Sequence, residues 1–456
     1  MNRIDGYNLL HRGAIALAEV EANGMRIDVA YLDNAIEETA RRIQNLEQKL
    51  RGCEEYRLQR RRYGQNTNLT SRDQLAAVLF EDLGHTPLST TATGRPQLDE
   101  TMLERIGTQY AKGFLRMEKL NKLHGTYLLG VRREVEGEYI HGFFGLHLVR
   151  SYRGQANDPN LQNIPIRDPI QGKIIRKAFI PRTGHAIVEA DYSGIEVKVA
   201  CALSADPKLT YDTLEGDMHR DMAAECYMLK TSDVLKPVRQ SAKGCFVFAE
   251  FYGDWFKQVT KNLWDAIDRY DLRHQDGRSL HEHLKEKGIT GRGECDPRVD
   301  AVRGTFEHHI KAVEDRFWNK RFQVYHAKRK AWVEEYSRQG YIDIVTGFRC
   351  HGPMSKNQVM NYHIQGPAFH CLLWSLTRLV GEIKRRRMGT KIICQIHDSI
   401  IADVPLTELG DYLALVQDIT TRQLLEEWDW ITLPLEIEAE VAETNWYEKK
   451  GVKITS

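Results

Sequence analysis

The 456-residue chain has no excess of charge of either sign, with 64 Lys and Arg against 63 Asp and Glu. Net charge therefore neither points to nucleic acid nor excludes it, and local clustering has to carry that question. No run of apolar residues is long enough to cross a bilayer as a helix, and the polar N-terminus has no apolar stretch of the secretory kind. The eight cysteines, at 53, 201, 226, 245, 295, 350, 371 and 394, contain no C-x-x-C pair. That scatter argues against a disulfide framework or zinc ribbon and fits reduced thiols in a cytoplasmic protein.

What is present is a large, soluble-type composition of 42% apolar and 28% charged residues. At this length one ordinary core is exceeded, so several subdomains are expected. Two basic runs occur, YRLQRRRYG at 56–64 and IKRRRMG at 383–389. Charge by itself reads each equally as a solvated face or as a polyanion contact.

Apolar periodicity predicts helices over 8–22 and 29–50, the first closed by Gly24 and the second opened by Asp28 as N-cap. Ser71 and Gln74 have capping-box spacing at the head of a helix that stops near Gly84. The small polar segment PLSTTATGRPQ at 87–97 predicts a mobile tip, after which helical pattern runs from about 99 to 130. From 138 the period shortens, and YIHGFFGLHLV and HAIVEADYSGIEV carry strand-like runs. Residues 206–345 are mainly helical, broken by a Gly-rich polar section at 277–304 and ending in a long basic helix over about 311–338. A strand pair around 392–404, a helix over 406–427 and a strand near 434–441 complete the chain. Strands on both sides of a helical insertion predict an α+β class.

Two carboxylates stand out. Asp191 follows the apolar AIVEA, and Asp398 lies inside IICQIHDSIIADV. A carboxylate at the edge of an apolar strand is costly without compensation. A turn aspartate accepting backbone N–H groups is one explanation. Paired oxygen ligands for divalent metal, as phosphoryl transfer uses, are the other. The order His397-Asp398-Ser399 is no hydrolase triad, because successive residues of an extended strand face opposite ways.

Several segments together resemble the polymerase domain of family A DNA polymerases. DYSGIEVK (191–198) is similar to that family's motif A, RQSAKGCFVFAEFYG (239–253) to motif B and QIHDS (395–399) to motif C. DPNLQNIP, RKAFIP, DMH and NYHIQGPAF fit between and around them in the family's order, and the likeness covers about residues 10–450. It implies an α+β right-hand fold with an antiparallel palm sheet. The implied segments are palm at 1–29, 136–205 and 346–456, thumb at 30–135 and fingers at 206–345. It further implies template-directed addition of deoxynucleotides to a primer 3′ end with two Mg²⁺ ions held by Asp191, Asp398 and the main-chain carbonyl of Tyr192.

The resemblance also assigns roles to other residues. Glu196 becomes a steric gate against the ribose 2′-OH; without the resemblance it is an acid favoured by a helix start. Arg239 and Lys243, at i and i+4 on one helix face, would meet the triphosphate, with Lys243 also catalytic. His219 would reach a phosphate, where the plain reading is a core histidine. Tyr252 follows Lys243 by nine residues where the family has eight, which predicts a π-bulge or local break. The aromatic that stacks on the incoming base is then Phe248, counting back from Tyr252, or Phe246. Arg153, Asn160, Gln162, Asn163, Asn361, Gln365, His397, Lys119 and Lys122 are implied to contact primer-template DNA. Asn361 and Gln365 would do so in the minor groove, where every correct pair offers acceptors. Where the family usually has glutamate after the motif C aspartate, this chain has Ser399.

These expectations describe a monomeric DNA-directed DNA polymerase of viral replication, cytoplasmic and without an exonuclease domain, which a separate replisome chain could supply. A single-subunit RNA polymerase and a non-catalytic primer-template binding subunit are the alternatives.

Overall fold

In the computed structural model, which describes residues 1–87, 94–166, 168 and 170–454, HAIVEADY becomes the middle strand of a five-stranded sheet. Its strands are β1 (His185–Tyr192), β2 (Lys391–Ile396), β3 (Ser399–Pro405), β4 (Ile437–Ala442) and β5 (Lys450–Val452). They lie in the order β2-β3-β1-β4-β5, with every neighbouring pair antiparallel. Alternation along β1 buries Val188, Ala190 and Tyr192 on one face and turns Glu189 and Asp191 to the other. The strand expected near 434–441 forms as β4, and the short β5 beyond it lacked the length to register as a pattern.

Under the sheet lies the 31-residue helix Lys356–Arg386, whose middle is buried on every side. Tyr192 joins the two layers, its hydroxyl meeting Ser375 Oγ at 2.9 Å and donating to the Thr420 carbonyl at 3.1 Å. A smaller sheet pairs Met25–Ile27 with Tyr139–Ile140 and Phe179–Ile180, which ties the N-terminal segment to the 136–205 region.

Most expected helices form, with three corrections. The first runs Arg3–Asn23, five residues earlier than expected, because Asn2 and Asp5 build a reciprocal cap that the apolar periodicity does not register. Asp28 caps the second, Val29–Arg51, through Tyr31 N at 2.9 Å. Ser71 caps Arg72–Ala77, but Gln74 completes no capping box: its side-chain oxygen accepts from Asn68 N at 2.7 Å instead. The long basic helix is two helices, Phe306–Arg316 with a π-turn to Arg321, then Gln323–Gln339. Phe322 breaks it because its side chain is fully buried against Phe317, 4.9 Å away between ring centroids. Asp206, 1% exposed, then caps the second helix by accepting from Val324 N and Tyr325 N at 3.1 and 2.9 Å.

Two hydrophobic cores result among the described residues. One runs from Leu9 through the sheet and the helices beyond residue 195. The other, around Leu50, Leu75, Leu103, Tyr110, Phe114 and Met117, belongs to the 46–117 region. The 277–304 section holds a capped helix, Leu280–Glu286. Buried Lys257 anchors the loop after it, donating to the carbonyls of Asp296 and Val299 and pairing with Glu307. Residues 88–93 of the expected mobile tip lie outside the described residues. All eight cysteines are free, and among the described residues no helix is long and apolar enough to cross a membrane. In both basic runs arginines pair locally, Arg62 with Glu81 and Asp82, Arg385 and Arg386 with Glu382. For these arginines that favours the solvated face over a polyanion contact.

Candidate active site

β2 and β3 form a hairpin in which Ile396 pairs with Ser399, leaving His397 and Asp398 as the turn. Asp398 is thus a turn residue and not a strand residue, which corrects the extended geometry assumed for the His-Asp-Ser stretch. His397 adopts φ +50°, the left-handed region that histidine tolerates better than most side chains. The triad stays excluded for a different reason: Ser399 Oγ donates to Asp191 Oδ1 at 2.6 Å.

That bond follows from register. Ser399 sits opposite Asp191 on one side and Glu438 opposite it on the other. Tyr192 N donates to the Asp398 carbonyl at 3.2 Å, fastening the hairpin turn to the end of β1. The two carboxylates expected to converge are therefore brought together. Burial pushes Asp398 up to about 7, helped by the negative charges of Glu196 and Asp191 and opposed by Arg153. Asp191 is also raised, by desolvation first, while the Ser399 hydroxyl pulls it down. Carboxylates that destabilise one another's charge, with Arg153 as the compensating cation, are matched to a hard divalent cation. The expected donor set, two carboxylates and the Tyr192 carbonyl, is oxygen throughout, and the Tyr192 N–H to Asp398 carbonyl bond puts Tyr192 beside the pair. Among the described residues no three His, Cys, Asp or Glu side chains cluster as a metal cage, so further ligands would come from backbone, water and phosphate.

Facing this pair is the helix 236–252, and its middle, Lys243–Phe248, is a π-helix between two α-helical parts. The nine-residue spacing is absorbed as expected. It also separates the two candidate aromatics. Phe246 is fully buried and packs edge-on against Phe317 at 5.2 Å. Phe248 is partly exposed, with Lys243 Nζ 5.4 Å from its ring centroid, His219 at 5.9 Å and Tyr252 at 6.4 Å. Tyr252, 45% exposed, donates its hydroxyl to Glu196 Oε2 at 2.8 Å. Glu196 lies in the first turn of helix Ile195–Ser204.

Other expected contacts are already engaged. Arg239 Nε reaches both oxygens of Asp217 at 3.0 and 2.9 Å, so it is not a free phosphate ligand. Asp217 also caps the helix Met218–Cys226, and no feature of the sequence singles out this pairing. His219 is lowered to about 4 by burial and by the charges of Lys243 and Arg239, which makes it a neutral imidazole near pH 7. Its Nδ1 is buried without a partner. Gln162 Nε2 donates to Gln395 Oε1 at 2.9 Å and its oxygen accepts from Ala156 N at 3.2 Å, so this amide braces the loop against β2. Asn361 Nδ2 donates to the Tyr252 carbonyl at 3.0 Å, and Asn357, which no motif of the sequence marks, does the same for Gly253. These amides lock the end of the 236–252 helix to the helix below. Gln365, one turn on, is half-buried.

Lys122, Asn160 and Asn163 come together around one cavity of about 680 Å³, with Arg133 on its rim. Asn160 Oδ1 is buried there without a partner. Lys119 turns away to Glu100, 3.0 Å from its ammonium.

Comparison with known proteins follows the same lines. A family model described as DNA polymerase family A matches residues 30–274. The thermostable DNA polymerase I of Thermus filiformis is 29% identical over 455 residues, covering 95% of this chain and 47% of that protein. DNA polymerase I of Bacillus subtilis (strain 168) is 26% identical over 445 residues, covering 96% and 45%. The chain thus spans about half the length of these curated relatives. Among solved structures, the POL domain of Pol1 from M. smegmatis, in complex with DNA primer-template and dNTP, superposes with a TM-score of 0.75 at 22% identity. That match covers 96% of this chain and 70% of the other.

Proposed function

Because the chain belongs to DNA polymerase family A and has its right-hand fold, we propose that it extends a primer 3′ end with deoxynucleotides on a DNA template. The observation that carries the reading is the convergence of Asp191 and Asp398, fastened by the Tyr192 N–H to Asp398 carbonyl bond, opposite the helix that presents Lys243, Phe248 and Tyr252. We assign the palm to 1–29, 136–205 and 346–456, the thumb to 30–135 and the fingers to 206–345. The separate core of the 46–117 region sets the outer part of the thumb apart, while Leu32, Ala35, Leu123, Leu128 and Val131 at its base pack into the first core.

Asp191, Asp398 and the Tyr192 carbonyl would hold two Mg²⁺ ions, which when bound supply positive charge at the primer hydroxyl and at the departing pyrophosphate. Lys243 and, once released from Asp217, Arg239 bind triphosphate oxygens as charge-assisted donors. Phe248 offers its ring to the incoming base, and neutral His219 contributes a hydrogen bond and not a charge. Glu196, held by Tyr252, fills the space beside the sugar and excludes a 2′-hydroxyl. Lys122, Asn160 and Asn163 take the DNA backbone, with Lys119 joining when freed from Glu100. Arg153 and His397 flank the primer terminus, and Gln365 with the free oxygen of Asn361 meets the minor groove. Gln162 acts through its brace on β2. The setting in viral replication rests on the length of the 277–304 section, and neighbouring reading frames encoding an exonuclease, helicase or primase would test it.

Primer extension with Mg²⁺ is the decisive measurement. Extension with deoxynucleotides should fall by about 10³ or more in Asp398→Asn, since the site then lacks half its carboxylate pair. Primer-template binding without extension in the wild-type chain would overturn the reading in favour of a binding subunit. Preference for ribonucleotides would favour an RNA polymerase.

A further inference from the structure

Two carboxyls on the side of the 236–252 helix away from the sheet, one buried and one half-buried, have no part in the chemistry above. Glu250 is 1% exposed, two residues before Tyr252. Its Oε2 accepts from the Trp318 indole N–H at 2.7 Å, while its Oε1 is buried with no donor near it. The neighbouring carboxyl is Glu314, itself fixed where its Oε1 accepts from Phe256 N at 2.7 Å. Ionised carboxylates only accept, so with Glu250 fully buried beside the half-buried Glu314, each disfavours the other's charge.

We propose that Glu250 and Glu314 share one proton, Glu250 Oε1–H donating to Glu314, and that this bond positions Tyr252 against Glu196 for sugar discrimination. The proposal rests on the polymerase reading for its consequence but not for the bond itself. The bond would tie the last turn of the 236–252 helix to the helix 306–316. Arg329, from the helix 323–339, stacks over Trp318 at 4.3 Å and gives its N–H groups to the main-chain carbonyls of Glu250 and Phe251 at 3.4 Å each. It thus braces the same turn through the backbone and leaves the carboxyl to Trp318 and Glu314. Cys226 faces Glu250 from the helix 218–226 as a neutral thiol raised by burial, and Lys311 and Asp315 flank Glu314 on its own helix. Burial first and then the charge of Glu314 push Glu250 up to about 9, and Glu314 is raised as well.

The sign of the pH effect is fixed by these shifts. The folded chain keeps a proton that the unfolded chain releases above its ordinary value of 4.5, so this group's support for folding falls as pH rises from 4.5 to about 9. Glu250→Gln replaces the shared proton with an amide N–H, keeps an oxygen for Trp318 and removes that dependence. Its melting temperature should exceed that of wild type at pH 8, with the lead shrinking towards pH 5. A lead that is absent, or constant from pH 5 to 9, would overturn the shared proton.

The functional arm is the ratio of kcat/KM for deoxynucleotide over ribonucleotide in primer extension between pH 7 and 9.5. Wild type should lose about tenfold in that ratio across the range, Glu250→Gln should hold its neutral-pH value, and Glu250→Ala should be about tenfold lower throughout. Parallel decline of wild type and Glu250→Gln would sink the positioning role, as would full discrimination in Glu250→Ala. If Glu250→Ala does not fold, the wild-type and Glu250→Gln profiles still decide the matter. A wild-type chain that extends no primer overturns the polymerase reading, and the melting comparison then still decides the proton.

Discussion

A carboxylate inside an apolar run is legible because burial of charge without compensation is expensive, and Asp191 and Asp398 stand out in the sequence on that ground. Their surroundings do not. Ser399 is 208 positions from Asp191, and only the β1–β3 register puts its hydroxyl on that carboxylate. Asp217 engages Arg239 across 22 positions and two helices, again with no local signal. Glu196 shows what such pairing does to a single residue: its carboxylate holds the Tyr252 hydroxyl and helps raise Asp398. Glu196→Ala would open the space beside the sugar, so ribonucleotide incorporation should rise by roughly one to two orders of magnitude relative to deoxynucleotide. Single-nucleotide kinetics with matched dNTP and rNTP read this directly, and an unchanged ratio would remove Glu196 from the gate.

At the scale of elements, spacing was the informative quantity. Nine residues between Lys243 and Tyr252 cannot keep both on one face of an α-helix, and the π-helix Lys243–Phe248 resolves the conflict. Gly244 lies in that turn with open space around its Cβ position. Deleting Gly244 should therefore let the helix close to a regular α-helix with Lys243, Phe248 and Tyr252 still facing the sheet. The KM for deoxynucleotide should stay within about threefold, whereas inserting one alanine there turns the aromatics by a further ~100° and should cost at least about 10² in kcat/KM. Equal loss in both variants would mean that the bulge itself is required. Elements whose limits depend on tertiary packing were not legible. The break at Phe322 is set by a buried ring and by Asp206, which caps Val324 from 118 positions earlier, and basic periodicity runs straight through it. The helix start at Arg3 depends on a polar cap outside the apolar pattern.

For the whole molecule, the order of segments was legible because strands flank the helical insertion, but the partition of the core was not. Met25–Ile27 pairs with Tyr139–Ile140 across the intervening helices, so the chain leaves the proposed palm for the proposed thumb and returns to the same sheet. The separate core in the outer part of the proposed thumb has a consequence for how function divides. Phe114 is fully buried in that core, and Phe114→Ala should destabilise it by about 3–5 kcal/mol through lost contacts and the cavity left behind. Lys119 and Lys122 lie at the end of the same helix, Gln109–Lys122, so loosening it should weaken primer-template binding by at least about tenfold. Phe248 packs against the other core, and Glu196 and Tyr252 sit beside Ile195, Val199 and Ala249 of it, so the ratio of deoxynucleotide to ribonucleotide incorporation should stay at the wild-type value. Measured together, DNA affinity and sugar discrimination should separate in this variant. If they fall in step, the two cores act as one unit and the proposed thumb and palm cannot be treated as independent in binding.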